Sequence, residues 1–115
     1  MYSNRSKQWL LRAMSLAAKS NAEKRHGCII VKGGSVLGTG FNKYTYVPWN
    51  ASPEHFNRCS IHAEIAAMRQ VKRLKGSTVY VARINNQGKP CMSAPCSACQ
   101  SALDKAGVKK VVYTV

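Results

Sequence analysis

The sequence predicts a single α/β domain in which helices cover both faces of a minimal central sheet of four strands. Three segments repeat apolar residues at helical spacing, and four short runs are rich in β-branched residues. At 115 residues the chain is long enough for one compact core and too short for two, so residues 1–115 are expected to form one domain. Its 45% hydrophobic and 19% charged residues are typical of a folded globular protein.

The predicted elements follow one another closely. They are, in order, a helix at 7–20, strands at 27–32 and 35–41, a helix at 60–75, a strand at 78–82, a helix at 95–106 and a strand at 108–114. Gly33 and Gly34 can supply the positive φ angles of a tight hairpin, which makes the first two strands antiparallel. Ser60 is a candidate N-cap for the second helix. The strand–helix–strand order from Thr78 onward implies a parallel pair, so the sheet is expected to be mixed.

The charge balance is strongly basic. Lysine and arginine total 18 against 4 aspartate and glutamate residues, for a formal net charge of +14. Such a charge attracts polyanions, so we expect partners that carry phosphate; the alternative is a surface that only keeps the protein soluble. The apolar stretches fall far short of the ~20 residues of a membrane span, and Met1–Gln8 contains no signal-peptide core. No membrane contact and a cytoplasmic location are expected.

Five cysteines occur, at positions 28, 59, 91, 96 and 99. An odd number in a small intracellular chain indicates metal binding or catalysis before disulfides. Two of them belong to Pro95-Cys96-Ser97-Ala98-Cys99, which follows an earlier motif, His62-Ala63-Glu64. Thiols three residues apart at a helix start fall on one face and can bind one ion. Together the two motifs match the H-x-E…P-C-x-x-C signature of zinc deaminases.

This signature assigns a role to each of four side chains. His62, Cys96 and Cys99 are expected to bind Zn²⁺, and three protein ligands leave the fourth position open to water, whose pKa zinc lowers to about 7. Glu64 is too close to His62 along the backbone to be a comfortable fourth ligand. Glu64 is therefore expected to move protons from the water to a ring nitrogen and to the leaving amine, so that ammonia departs.

Nearly the whole chain resembles the cytidine and deoxycytidylate deaminase superfamily, which also includes tRNA adenosine deaminases and polynucleotide cytosine deaminases. Histidine at position 62 is similar to the deoxycytidylate, tRNA and polynucleotide branches, whereas the free-cytidine branch usually has cysteine there. The resemblance implies a cytidine-deaminase-like three-layer α/β/α fold. It also implies that Asn42 hydrogen-bonds the sugar and that backbone groups near Ala63 and Ala94 hold the base edge.

The favoured function is hydrolytic deamination of cytosine in a nucleotide such as CMP or dCMP. Lys24, Arg25 or His26 is a candidate contact for the phosphate, and His26 could instead close the pocket. Since the fourth strand lies at an edge of the predicted sheet, and an unpaired edge invites association, we also expect a homo-oligomer through that edge.

Two other functions remain open. A polynucleotide deaminase acting on tRNA adenosine or on cytosine in single-stranded DNA or RNA is supported by the +14 charge and by a long aromatic loop at 42–58. The aromatic side chains of this loop could stack on bases or cover the core; they are Tyr44, Tyr46, Trp49 and Phe56. A basic nucleic-acid-binding module is the other alternative, with Cys59 or Cys91 completing a structural zinc site.

Overall fold

The computed structural model describes residues 4–20, 24–44 and 60–115. Numbered in chain order, the helices of this part are α1 (Asn4–Ala17), α2 (Ala63–Met68) and α3 (Ser97–Lys105). Its strands are β1 (Arg25–Lys32), β2 (Ser35–Phe41), β3 (Lys43–Tyr44), β4 (Ser60–Ile61), β5 (Thr78–Ile84), β6 (Pro90–Cys91) and β7 (Lys110–Tyr113).

The main sheet of the described residues has the spatial order β2, β1, β5, with β6 and β7 both on the far side of β5. Strand β1 is antiparallel to β2 and to β5, whereas β7 is parallel to β5. The predicted hairpin and the predicted parallel pair are therefore confirmed. Gly33 and Gly34 take positive φ angles of 59° and 82°, as the tight turn requires. Strands β3 and β4 pair with each other as a separate two-stranded ribbon.

The main sheet of the described residues has five strands instead of the predicted four. The additional strand is β6, which follows a turn-rich segment at 85–88. The Asn85 N–H donates to the Lys89 carbonyl at 2.9 Å, and the Asn85 side-chain oxygen accepts from the N–H groups of Gln87 and Lys89. This turn folds the chain back so that Cys91 pairs with Arg83. A strand of two residues has no periodicity for a sequence pattern to detect.

Two buried hydroxyl groups fill the junction where the neighbour of β5 changes from β7 to β6. The Thr114 N–H donates to the Val81 carbonyl at 3.1 Å, and its hydroxyl donates to the Cys91 carbonyl at 2.6 Å. The Ser93 hydroxyl donates to the Val81 carbonyl at 3.0 Å, and the Ser93 N–H donates to the Thr114 carbonyl. The segment that leads to Cys96 is thus attached to the centre of the sheet.

The two faces of the sheet belong to separate apolar clusters. On one face Leu10 and Ala13 of α1 pack against the sheet residues Ile29, Val31, Tyr80, Ala82 and Val112. On the other face residues of α2 and α3 pack against the sheet; this cluster comprises Ala63, Ala67, Leu74 and Leu103 with Cys28, Ile30, Val79 and Val81. Alternate residues of a strand face opposite layers. The predicted three-layer α/β/α fold is confirmed.

The second helix is shorter than the predicted 60–75. Ser60 lies in β4 instead of capping the helix, and His62 takes the N-cap position. Beyond the end of α2, the side-chain amide of Gln70 accepts from the Thr39 N–H at 3.2 Å and donates to the Thr39 carbonyl at 2.6 Å. This pair of bonds holds the chain down on β2 in turns rather than in a continued helix.

Helix α2 lies directly on the backbone of β2 because two residues of that strand are glycines. A Cβ atom at Gly40 would lie 2.6 Å from the Ala63 carbonyl oxygen, and one at Gly38 would lie 2.6 Å from that of Ala67. No side chain fits in either place, so glycine allows the close approach. The start of α2 is thereby fixed above the end of β2.

Part of the predicted aromatic loop lies outside the described residues. Tyr46, Trp49 and Phe56 lie outside the described residues, as does Cys59, and only the backbone of Tyr44 is described. Within the described ranges, no helix is both long and apolar enough to span a bilayer.

Candidate active site

Two of the predicted metal ligands occupy equivalent positions at the starts of two helices. His62 is the N-cap of α2 with φ −69° and ψ 147°, and Cys96 is the N-cap of α3 with φ −65° and ψ 164°. Neither side chain caps its own helix. Cys99 lies in the first turn of α3, three residues after Cys96, and faces the same way. The imidazole and both thiols are therefore available to a common ligand.

The three donor atoms lie at distances suited to a single zinc ion. His62 Nδ1 is 3.3 Å from Cys99 Sγ and 3.7 Å from Cys96 Sγ, and all three atoms lie within 4.8 Å of one another. Tetrahedral bonds of ~2.0 to 2.3 Å place neighbouring ligand atoms about 3.3 to 3.8 Å apart. His62 and Cys96 are exposed and Cys99 is buried, so the site opens to solvent on one side.

The environment of Cys99 disfavours a thiolate in the absence of a metal. Burial, followed by the negative charge of Glu64, raises the pKa of the Cys99 thiol well above its ordinary range, and the neighbouring Cys96 adds to the effect. A bound cation reverses this balance because it stabilises the thiolate directly. The site therefore suits a metal that displaces protons from sulfur.

Glu64 lies beside the three ligands without joining them. It is the second residue of α2 and is only 4% exposed. The described donor atoms that could hold a metal do not include its carboxylate. Burial chiefly raises the pKa of both Cys99 and Cys28, and the negative charge of Glu64 raises it further. A buried carboxylate next to a metal site can accept and deliver protons, and the proton-transfer role of Glu64 remains a prediction.

The other cysteines differ in their surroundings. Cys28 is fully buried in the core, and burial raises the pKa of its thiol. Cys91 lies in β6, where its thiol contacts the Lys89 carbonyl at 3.6 Å, and it is not part of the donor group formed by the described residues. Cys59, the other candidate for a fourth structural ligand, lies outside the described residues.

Asn42 follows β2 and ties the start of β1 to it. Its side-chain oxygen accepts from the His26 N–H at 2.8 Å, and its amide nitrogen donates to the Lys24 carbonyl at 2.6 Å. Its backbone N–H donates to the His26 carbonyl at 3.2 Å. Both ends of the amide therefore have a structural use, while the predicted contact with a sugar remains a prediction.

The remaining predicted substrate residues differ in their burial. His26 is half-buried; burial chiefly lowers its pKa, and the charged groups that act on it include Glu64 and Arg83. Ala63 is fully buried at the start of α2. Ala94 is exposed in the segment that precedes α3. Their roles in holding a base remain predictions.

A row of side chains across the sheet was not foreseen from the sequence. In the strand register His26 of β1 lies opposite Arg83 of β5, and Arg83 lies opposite Cys91 of β6. Residues opposite each other in antiparallel strands point to the same face. The Nε atom of Arg83 is buried and has no hydrogen-bond partner among the described residues. The predicted third strand ended at residue 82, whereas the strand runs over Thr78–Ile84. Arg83, the single basic residue of this strand, was therefore left out of the prediction.

Comparison with known proteins decides the family. The sequence model described as cytidine and deoxycytidylate deaminase zinc-binding region matches residues 3–115. The chain belongs to the cytidine and deoxycytidylate deaminase family. Zinc is the metal of this deaminase family, and the donor set of one imidazole and two thiols suits it.

Relatives of this deaminase-family chain differ in the substrates that their names give. It is 30% identical over 121 residues to a deoxycytidylate deaminase of Schizosaccharomyces pombe, covering 91% of this chain but only 35% of the relative. It is 30% identical over 115 residues to a tRNA-specific adenosine deaminase of Buchnera aphidicola, covering 98% and 68%. The dCMP deaminase from the cyanophage S-TIM5 in apo form superposes with a TM-score of 0.73 at 26% identity, covering 98% and 84%. The chain thus spans about a third of the yeast enzyme.

Proposed function

We propose that this chain catalyses hydrolytic deamination of cytosine in a nucleotide, with His62, Cys96 and Cys99 holding zinc and Glu64 moving the protons. The observation that carries the proposal is the position of a buried carboxylate beside a three-donor site whose nitrogen and sulfur atoms lie 3.3 and 3.7 Å apart. Three protein ligands are typical of catalytic zinc, whereas structural zinc usually has four.

When bound, zinc supplies Lewis-acid activation of water at neutral pH. The residues of the chain do the rest. Glu64 accepts one proton as water attacks the ring carbon that bears the amine and delivers it to the adjacent ring nitrogen. It then accepts the proton of the hydroxyl group formed on that carbon and gives it to the leaving amine. The reaction consumes one water and releases one ammonia, so cytosine becomes uracil. Burial of Glu64 keeps bulk water from competing for these protons.

The substrate is positioned by groups at the end of the sheet. We assign the sugar to Asn42, the base edge to backbone groups near Ala63 and Ala94, and a further contact to His26. Burial lowers the pKa of His26, so its ring is neutral at pH 7 and can both donate and accept a hydrogen bond. The assignments of Asn42, Ala63 and Ala94 follow the positions that the family resemblance implies.

A cytosine nucleotide is supported by the deoxycytidylate deaminase of Schizosaccharomyces pombe and the dCMP deaminase of the cyanophage. A polynucleotide substrate is the second candidate. It is supported by the tRNA-specific adenosine deaminase of Buchnera aphidicola and by the net charge of +14.

An ammonia-release screen tests both candidates. The zinc-loaded chain is incubated with cytosine and adenine as nucleoside, nucleotide, single-stranded oligonucleotide and tRNA. We expect release from the cytosine nucleotides at ordinary salt. Release only from oligonucleotide or tRNA, weakening steeply as salt rises, would instead establish the polynucleotide function. No release from any of them would contradict a deaminase.

We also propose that copies of the chain associate through the outer edge of β7. In the described residues this strand pairs only with β5, and an unpaired strand edge favours association. Light scattering of the concentrated protein is expected to give a mass of at least two chains. A mass of one chain at all concentrations would contradict the association.

A further inference from the structure

Arg83 stands out because it is a half-buried arginine with one buried nitrogen that has no hydrogen-bond partner among the described residues. Its side chain lies on the face of the sheet that carries α2 and α3, since its parity along β5 is that of Val79 and Val81. Its Nε atom is buried and unbonded among the described residues. A buried donor without a partner costs stability, so such a group in a folded protein calls for an explanation.

The position of Arg83 connects it to the candidate substrate site. It lies directly opposite His26, and His26 is in turn tied to Asn42 by two hydrogen bonds. The neighbouring row, Cys28 with Gly40, lies beneath the start of α2, where a Cβ at Gly40 would touch Ala63. The row that contains His26 and Arg83 lies two residues further along the strands, beyond the N-terminal end of α2.

Neither acidic side chain of the described residues is available to form an ion pair with Arg83. Its acidic residues are Glu64 and Asp104, and an Asp104 oxygen already accepts from the side-chain amide of Gln100 at 2.9 Å. Glu64 is assigned to proton transfer in the proposed function. Neither carboxylate of the described residues is therefore left to pair with Arg83, and an anion from outside can take that place.

We propose that Arg83 binds the 5′-phosphate of the nucleotide being deaminated. A guanidinium group presents its donors in a planar fork that matches phosphate oxygens, and a phosphate both fills the vacant bond at Nε and neutralises the charge. The inference rests on the proposed function. The phosphate can be that of a free nucleotide or of a polynucleotide chain.

The test measures binding of products, which does not require turnover. Zinc-loaded wild-type protein, Arg83→Gln and Arg83→Lys are titrated with dUMP and with deoxyuridine. The matched control is Lys32→Gln, which removes one exposed positive charge from the opposite end of β1. A second pair of ligands is an oligonucleotide with one internal deoxyuridine, carrying either a normal phosphate or a neutral methylphosphonate on the 5′ side of that residue.

We expect wild type and Lys32→Gln to prefer the phosphate-bearing ligand by about 10- to 100-fold, the effect of one charged hydrogen-bonded contact. Arg83→Gln should abolish this preference with deoxyuridine affinity unchanged, and Arg83→Lys should keep part of it. Preference in the dUMP pair assigns the free nucleotide as the source, and preference in the oligonucleotide pair alone assigns the polynucleotide. No preference in wild type, or a preference that survives in Arg83→Gln, overturns the inference.

Two further measurements separate a substrate contact from a structural role and from failure of the proposed function. Because Arg83 lacks a partner at Nε, Arg83→Gln should retain zinc and melt at the same temperature as wild type or higher. A melting temperature lowered by several degrees, together with equal loss of both ligands, would mark Arg83 as structural and overturn the inference. Absence of ammonia release from any substrate would contradict the deaminase proposal alone.

Discussion

The Nδ1 atom of His62 lies 3.3 Å from the Sγ atom of Cys99, although the two residues are 37 positions apart in the chain. Both helices lie on the same face of the sheet, where Ala63 and Ala67 of α2 and Leu103 of α3 belong to one buried cluster. The metal site therefore depends on the packing of that layer as much as on the ligands themselves.

Replacing Glu64 by glutamine should separate metal binding from catalysis. The amide keeps the size of the side chain but cannot accept a proton, so we expect deamination to fall by about 100- to 10,000-fold. Zinc content, measured by metal analysis, should stay at one ion per chain, because the donor group does not include this side chain. Activity equal to wild type would remove Glu64 from the mechanism.

A pair of cysteine variants should distinguish a ligand from a core residue. Cys99→Ala removes one of three donors, and we expect zinc affinity to drop by at least ~100-fold in a competition titration with a chelator. Cys28→Ala deletes a buried sulfur outside the site and should cost about 1 kcal/mol of unfolding free energy with zinc retained. Equal zinc affinity in the two variants would show that Cys99 is not a ligand.

Gly40→Ala should lower both the stability of the protein and its affinity for zinc, because the substitution displaces α2. The added Cβ would lie 2.6 Å from the Ala63 carbonyl oxygen, so α2 has to shift, at a cost of about 2 to 3 kcal/mol. Because His62 begins that helix, zinc affinity should fall as well. Gly34→Ala is the control: it meets no atom within 4 Å but has a φ of 82°, so it should cost about 1 to 2 kcal/mol and leave zinc binding intact. Denaturant unfolding and zinc titration measure both effects.

The stability of the protein should depend on pH through His26. Burial lowers the pKa of its imidazole below the ordinary 6.5, so the unfolded chain takes up the proton first as the pH falls. The stability contributed by the neutral ring is therefore complete above pH ~6.5 and is lost progressively below it. Unfolding free energies at several pH values between ~7.5 and ~5 should fall less steeply for His26→Gln than for wild type. Parallel curves would contradict this prediction.

Local chemistry explains what the sequence predicted well. The thiols of Cys96 and Cys99 are three residues apart on one helix, so their common face follows from spacing alone. The separation of core residues into two faces follows from alternation along β1. The hairpin was equally predictable because Gly33 and Gly34 favour only a few kinds of turn.

Features that depend on tertiary contacts were predicted poorly. The apolar residues beyond Met68 suggested a continuing helix, but the Gln70 amide instead bonds to Thr39 on another element, and no local pattern reveals that. Arg83 was overlooked for a related reason. It is of interest because it lies opposite His26 and because its buried Nε has no hydrogen-bond partner among the described residues. Both features arise only in the folded sheet.

Hydrogen bonds between Thr114 and Ser93 connect the segment that follows β7 to the segment that precedes the metal ligand Cys96. Ser93 stands three residues before Cys96, and its hold on the sheet passes through Thr114 and Val81. Were that hydroxyl pair lost, the approach to α3 would loosen while His62 stayed anchored above Gly40. Cys96 and Cys99 would then become more mobile while His62 stayed in place, so zinc would dissociate faster. Thr114 would in this way affect the residence time of the ion.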